Sequence, residues 1–124
     1  MSLSKPAAVL FDWDNTLVDT WPVIHRALSD TFIAYHMEPW TLAQVKERVA
    51  RSMRDAFPEV FGAVWEKAGK TYQQNYRKYH LENLQPLPGA ASVLEAVGKA
   101  GLPLAVVSNK KKVNLSTELA HLGW

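Results

Sequence analysis

Asp12-Trp13-Asp14-Asn15-Thr16 sets two carboxylates two residues apart, directly after an unbroken apolar run at residues 7–11. Neighbouring carboxylates repel, and only a cation or a shared proton makes such a pair tolerable. Mg²⁺ is the expected cation, because it prefers oxygen ligands and is often held by one or two carboxylates together with a substrate phosphate. A carboxylate can attack phosphorus to give an acyl phosphate, which divides hydrolysis into two easier steps. A second carboxyl group can protonate the leaving alkoxide and afterwards activate water. The cation would offset the repulsion between an anionic nucleophile and an anionic phosphate. Taken alone, the D-x-D pattern is as readily a solvated turn with helix-capping acids, since short motifs match by chance.

A second polar pair, Ser108-Asn109, follows a second apolar run at residues 103–107. Both runs are continuously apolar rather than alternating, which predicts strands covered on both faces of a parallel sheet. Ligands of such sheets bind beyond the carboxyl ends of the strands. Both polar clusters are therefore expected at one edge, and that coincidence favours chemistry over capping. Ser108-Asn109 on its own reads as a helix cap. The two roles are compatible, because a helix N-terminus is itself an anion site.

The elements between the two clusters are predicted to be helical. A first helix starts near Asp19 or Thr20, with Pro22 in its first turn, and Trp21, Ile24, Leu28, Phe32 and Tyr35 share a face. Thr41 with Gln44 three residues later is a capping-box pattern, and Leu42, Val45, Val49, Met53 and Ala56 form the stripe of a second helix. A third helix is predicted over residues 60–79, with Phe61, Val64, Trp65, Ala68, Tyr72 and Tyr79 inward. Gln85-Pro86-Leu87-Pro88-Gly89 reads as a turn or loop. A helix over residues 90–100 stops at Gly101, and a last helix over residues 112–122 stops at Gly123.

Phe11-Asp12-Trp13-Asp14-Asn15-Thr16-Leu17-Val18-Asp19-Thr20 resembles the first motif of the haloacid dehalogenase (HAD) superfamily. Pro88-Gly89 before a helix, Gly101, and Leu104-Ala105-Val106-Val107-Ser108-Asn109 look like the approach to its second motif. The likeness covers almost the whole chain and is greatest to the phosphoglycolate-phosphatase-like branch with a helical cap. It implies an α/β fold: a partial Rossmann-like core of parallel strands at residues 1–18 and 84–124, with an inserted α-helical cap at 19–83. It also implies roles. Asp12 would be the nucleophile and a Mg²⁺ ligand. Asp14 would be the general acid/base and lend the metal its backbone carbonyl. Thr16 would support the loop, and Ser108 with the Asn109 N–H would bind the phosphoryl group. An acid at Asp14 favours phosphoryl transfer over C–halogen cleavage. The family's later lysine and later acidic metal motif find no match before Trp124, and Lys110, Lys111 and Lys112 follow the second motif too closely to supply that lysine. The chain is accordingly expected to be a truncated form with little or no turnover of its own.

The remaining composition narrows the class further. With 48% hydrophobic and 21% charged residues, the chain reads as a globular protein. Its net charge of +2 is spread out except at Lys110–112, so no nucleic-acid footprint is expected. Without cysteine there is no thiolate or disulfide chemistry, and no segment approaches the length needed to span a bilayer. A cytoplasmic protein acting on a small phosphorylated metabolite is expected, with no membrane partner. His25, His36, His80 and His121 lack ligand-like spacing and are assigned to surface or packing. Trp21, Trp40, Trp65, Tyr72 and Tyr79 are assigned to the bundle core, and Asp19 to a cap near the hinge. Arg48, Arg51 and Arg54 are read as a solvated helix face, and the three lysines as an exposed helix start. Two alternatives stand beside the phosphatase: an interaction module whose incomplete sheet is completed by a partner or a swapped copy, and a phosphomutase.

Overall fold

The computed structural model describes residues 3–49 and 53–124. β1 (Val9–Phe11) and β4 (Leu104–Val106) form a parallel pair, with Val9 opposite Leu104 and Phe11 opposite Val106. Between them in sequence lie β2 (Val18–Asp19), α1 (Trp21–Ala34), α2 (Leu42–Arg48), α3 (Met53–Phe61), a 3-10 turn (Gly62–Val64), α4 (Trp65–Asn83), β3 (Gln85–Pro86) and α5 (Ala90–Lys99). α6 (Lys112–Leu122) ends the chain's regular structure. The expected α/β arrangement, with helices inserted between two parallel strands, is present. Among the described residues no helix is long and apolar enough to cross a membrane.

The core lies where α1 packs along α4. Val23, Ala27, Leu28, Thr31 and Phe32 of α1 are buried against Ala68, Tyr72, Tyr76 and His80 of α4. Phe32 stacks on Phe61 at 5.3 Å, and Phe57 and Tyr72 continue the aromatic cluster. Thr41 caps α2 with the reciprocal bonds its spacing predicts: Gln44 N–H donates to Thr41 Oγ1 at 3.2 Å, and Thr41 N–H to Gln44 Oε1 at 2.9 Å. Gly101 ends α5 at φ +72°, a left-handed conformation that glycine adopts without a Cβ clash.

Several expectations are corrected. The stripe assigned to one helix from Thr41 to Ala56 belongs to α2 and α3. Val45 and Val49 are buried and Leu42 is 37% exposed; residues 50–52 and the Met53 side chain lie outside the described residues. The helix expected over 60–79 is divided. α3 runs through Pro58 and stops at Phe61, Gly62 takes φ +57°, and α4 begins at Trp65. Its inward face follows Ala68, Tyr72, Tyr76 and His80 at strict four-residue steps, so Tyr79 is only partly buried and Val64 is exposed. Gln85 and Pro86, read as loop, pair antiparallel with Asp19 and Val18, and Leu87 N–H donates to the Leu17 carbonyl at 2.9 Å. Finally, the parallel strands are not covered on both faces: on the face shared by Leu10, Ala105 and Val107, Leu10 is 66% and Val107 62% exposed. Their apolar runs carry the pattern of a doubly covered sheet, but the two described strands have cover on one side alone.

Candidate active site

The carboxyl ends of β1 and β4 deliver Asp12 and Ser108 to the same edge. Val107 N–H donates to the Phe11 carbonyl at 2.8 Å, extending the parallel register to the last residue before each polar cluster. Asp12, Ser108 and Asn109 line one open cleft of about 430 Å³ with Leu10, Phe11 and Val107. Thr16 and Asp14 are not in its lining. Thr16 instead supports the loop, its hydroxyl donating to Asp12 Oδ2 at 3.3 Å. Ser108 Oγ accepts the Lys110 N–H at 3.1 Å, which leaves the serine proton free to donate elsewhere.

The turn that aims these residues is built on the Trp13 carbonyl, which accepts from the N–H groups of Thr16, Leu17 and Val18 at 3.1–3.4 Å. Asn15 sits at φ +59°, a region asparagine tolerates better than most residues. Its Oδ1 accepts the Thr20 N–H at 3.0 Å, which ties the turn to the start of α1. Successive side chains thereby diverge: Asp12 faces the cleft, Trp13 is fully buried, and Asp14 is partly buried.

Asp14 belongs to a polar network unforeseen in the sequence. Its Oδ1 accepts from Thr20 Oγ1 at 2.6 Å and from Lys110 Nζ at 2.7 Å. The Lys110 side chain is 7% exposed and also bonds Glu118 Oε1 at 2.7 Å and the Tyr76 hydroxyl oxygen. Glu118 is fully buried and accepts in addition from Trp13 Nε1 at 3.0 Å, Tyr76 OH at 3.1 Å and His80 Nδ1 at 2.9 Å. Lys110 is therefore no exposed helix start; Lys111 and Lys112 are. It contacts Asp14 and not Asp12, so it does not take the place of the family's later lysine. His80 packs as expected, but as a hydrogen-bonding member of this cluster. The signal available in sequence was Glu118 itself, an acid set among Leu115, Leu119 and Leu122 on the apolar stripe of α6.

Burial of Glu118 alone would raise its pKa. Hydrogen bonds from Lys110 and His80, the Lys110 charge and the Trp13 indole outweigh that and hold it below the ordinary carboxylate value. Burial, and then the negative charges of Glu118 and Asp14, drive the Tyr76 hydroxyl far above its ordinary value, so it stays a donor. Burial likewise raises Tyr72, with Asp14 and then Glu118 adding to it. Elsewhere, Arg48 lies over the Trp40 ring at 4.8 Å, while Arg51 and the Arg54 side chain fall outside the described residues.

The loop offers two hard oxygen donors for a small divalent cation: the Asp12 carboxylate and the Asp14 main-chain carbonyl, which no backbone N–H claims among the described residues. These fit Mg²⁺ in kind. Among the described residues there is no group of three or more His, Cys, Asp or Glu able to hold a metal.

A parallel sheet edge with an acid-rich turn after its first strand and a serine after the next is the plan of a HAD-like hydrolase. The chain belongs to the haloacid dehalogenase-like hydrolase family, whose model it matches over residues 9–124. The phosphoglycolate phosphatase of Xylella fastidiosa is 30% identical over 123 residues, covering 96% of this chain and 54% of that protein. That of Aquifex aeolicus is 33% identical over 106 residues, covering 82% and 48%. A haloacid dehalogenase-like hydrolase from Streptococcus pneumoniae superposes with a TM-score of 0.86 at 21% identity, covering 94% of this chain and 56% of that one. A HAD hydrolase of Entamoeba histolytica gives 0.75 at 17% identity, covering 94% and 55%. The chain spans about half the length of the curated relatives it matches.

Proposed function

We propose that the natural protein hydrolyses a small phosphate monoester through an aspartyl-phosphate on Asp12, with Mg²⁺ held by the Asp12 carboxylate and the Asp14 carbonyl. The observation that carries this reading is the meeting of Asp12, Ser108 and Asn109 in one cleft at the carboxyl edge of the parallel strands. Residues 1–18 and 84–124 form the catalytic core in this reading, and 19–83 a cap that governs access. The phosphatases among its relatives support the reaction class.

In the first step an Asp12 oxygen attacks phosphorus, the bond to the leaving oxygen breaks, and Asp14 gives that oxygen a proton. In the second, Asp14 takes a proton from water as the water oxygen attacks phosphorus, releasing phosphate and restoring Asp12. Ser108 Oγ–H and the Asn109 N–H donate to the phosphoryl oxygens. Mg²⁺, when bound, supplies the positive charge that lets two anions approach. The test is phosphate release from 4-nitrophenyl phosphate by the full natural protein. Release is expected with Mg²⁺, to fall about 100-fold or more with a chelator, and to return with added metal. Release indifferent to the chelator, or none at all, would remove the reading.

The bare strand face formed by Leu10, Ala105 and Val107 favours a second reading, a module whose sheet a partner or second copy completes. Light scattering on the full natural protein separates them: a concentration-independent monomer counts against this alternative.

A further inference from the structure

We propose that Lys110 is a positioning residue for Asp14, presenting one carboxylate oxygen for proton transfer while anchored to the helices through Tyr76 and Glu118. The inference rests on the reading of Asp14 as the acid/base, and goes beyond it by assigning the group that fixes its geometry.

Thr20 Oγ1 and Lys110 Nζ both bond Asp14 Oδ1, at 2.6 and 2.7 Å, and Oδ2 has no side-chain partner among the described residues. A carboxylate pinned at one oxygen by two donors keeps a single orientation, and the other oxygen is left to carry a proton to or from the substrate. Proton transfer needs that oxygen within hydrogen-bond reach of the reacting atom, so its orientation is a rate-determining matter of geometry.

Lys110 is in turn unable to wander. Its side chain is 7% exposed, Glu118 holds it at 2.7 Å, the Tyr76 hydroxyl accepts from it, and its ammonium lies 4.9 Å from the Tyr76 ring centre. Tyr76 belongs to α4 of the helical bundle, Glu118 to α6, and Asp14 to the loop after β1. One ammonium thus joins three separate elements, and the Lys110 half of the hold on Asp14 is anchored to α4 and α6 at once. Lysine is suited to this, because its compact ammonium can point three protons in three directions.

The consequence is a dependence on the leaving group. A poor leaving group needs the proton from Asp14; a good one leaves without it. With phenyl phosphate and 4-nitrophenyl phosphate as probes, kcat/KM reports the step in which the leaving oxygen departs. In the full natural protein, Lys110→Met is expected to lower kcat/KM for phenyl phosphate about 100-fold and for 4-nitrophenyl phosphate less than about 10-fold. Equal losses on both probes would overturn the proposal, since a merely structural residue affects both alike. If Lys110→Met melts below the assay temperature, Tyr76→Phe removes one anchor of the ammonium and is expected to show the same selective loss in weaker form; equal sensitivity there overturns it too. Unaltered protein that hydrolyses both probes while Lys110→Met loses them equally leaves the phosphatase reading standing and removes this one. Unaltered protein that hydrolyses neither removes both.

Discussion

Asp12→Asn in the full natural protein is expected to reduce phosphate release by on the order of 10⁴-fold or more, with the fold unchanged. The amide matches the carboxylate in shape but is a poor nucleophile toward phosphorus and a weak ligand for a hard cation. Its fold should survive because Asp12 is exposed and, among the described residues, bonds no side chain but Thr16, whose hydroxyl can donate to the amide oxygen in the same way. Stability should therefore change by no more than about 0.5 kcal/mol, as at other surface positions. The paired measurements are steady-state phosphate release and urea unfolding. Activity within tenfold of the unaltered protein would mean that another group attacks phosphorus.

Glu118→Ala is expected to produce the largest loss of stability among single substitutions in the network, about 3–5 kcal/mol by denaturant unfolding. Four donors converge on this buried carboxylate, from Trp13, Tyr76, His80 and Lys110. Removing it leaves those groups short of an acceptor and withdraws one of the two carboxylates that neutralise a nearly buried ammonium. Adding Lys110→Met to Glu118→Ala should cost less than the sum of the two, because the stranded charge goes with its partner. The pH dependence has a definite sign. The folded-state pKa of Glu118 lies below its ordinary value of 4.5, so the folded protein binds fewer protons here than the unfolded chain. Its stabilisation is fully present above that value and is lost as pH falls through the folded-state pKa. Melting temperature should therefore drop on acidification below about pH 4.5, and drop less steeply in Glu118→Ala. An equally steep acid limb in the variant would place the responsible group elsewhere.

The sequence made legible whatever a short window carries. The strand before Asp12, the strand before Ser108, the Thr41 capping box and the stop at Gly101 all rest on neighbours a few residues apart. Helix boundaries were less legible, because an apolar stripe continues across a break without changing period. Pro58 did not end α3, whereas Gly62, taking a left-handed conformation, did. β2 and β3 have two residues each, too few to display any alternation. Trp13, Tyr76 and His80 reach Glu118 from 38 to 105 positions away, a separation at which no local pattern exists. Both site clusters were nevertheless readable, since each follows a strand whose end sets its place. Lys110 was not: its neighbours in sequence are solvent-facing lysines, and only folding brings Asp14 and Glu118 to it.

The pairing of β2 with β3 has a mechanical corollary. The chain crosses from strands to helices and back along two paths laid edge to edge and fastened by backbone bonds. A single tether would swivel freely about its own axis, but a two-stranded ribbon resists torsion and yields most easily to flexing across its flat face. If the helices travel over the cleft, they swing like a door on a strap rather than roll like a ball on a string. Such a swing would retrace one arc, and closing would bring the Tyr76 ring back to the same ammonium.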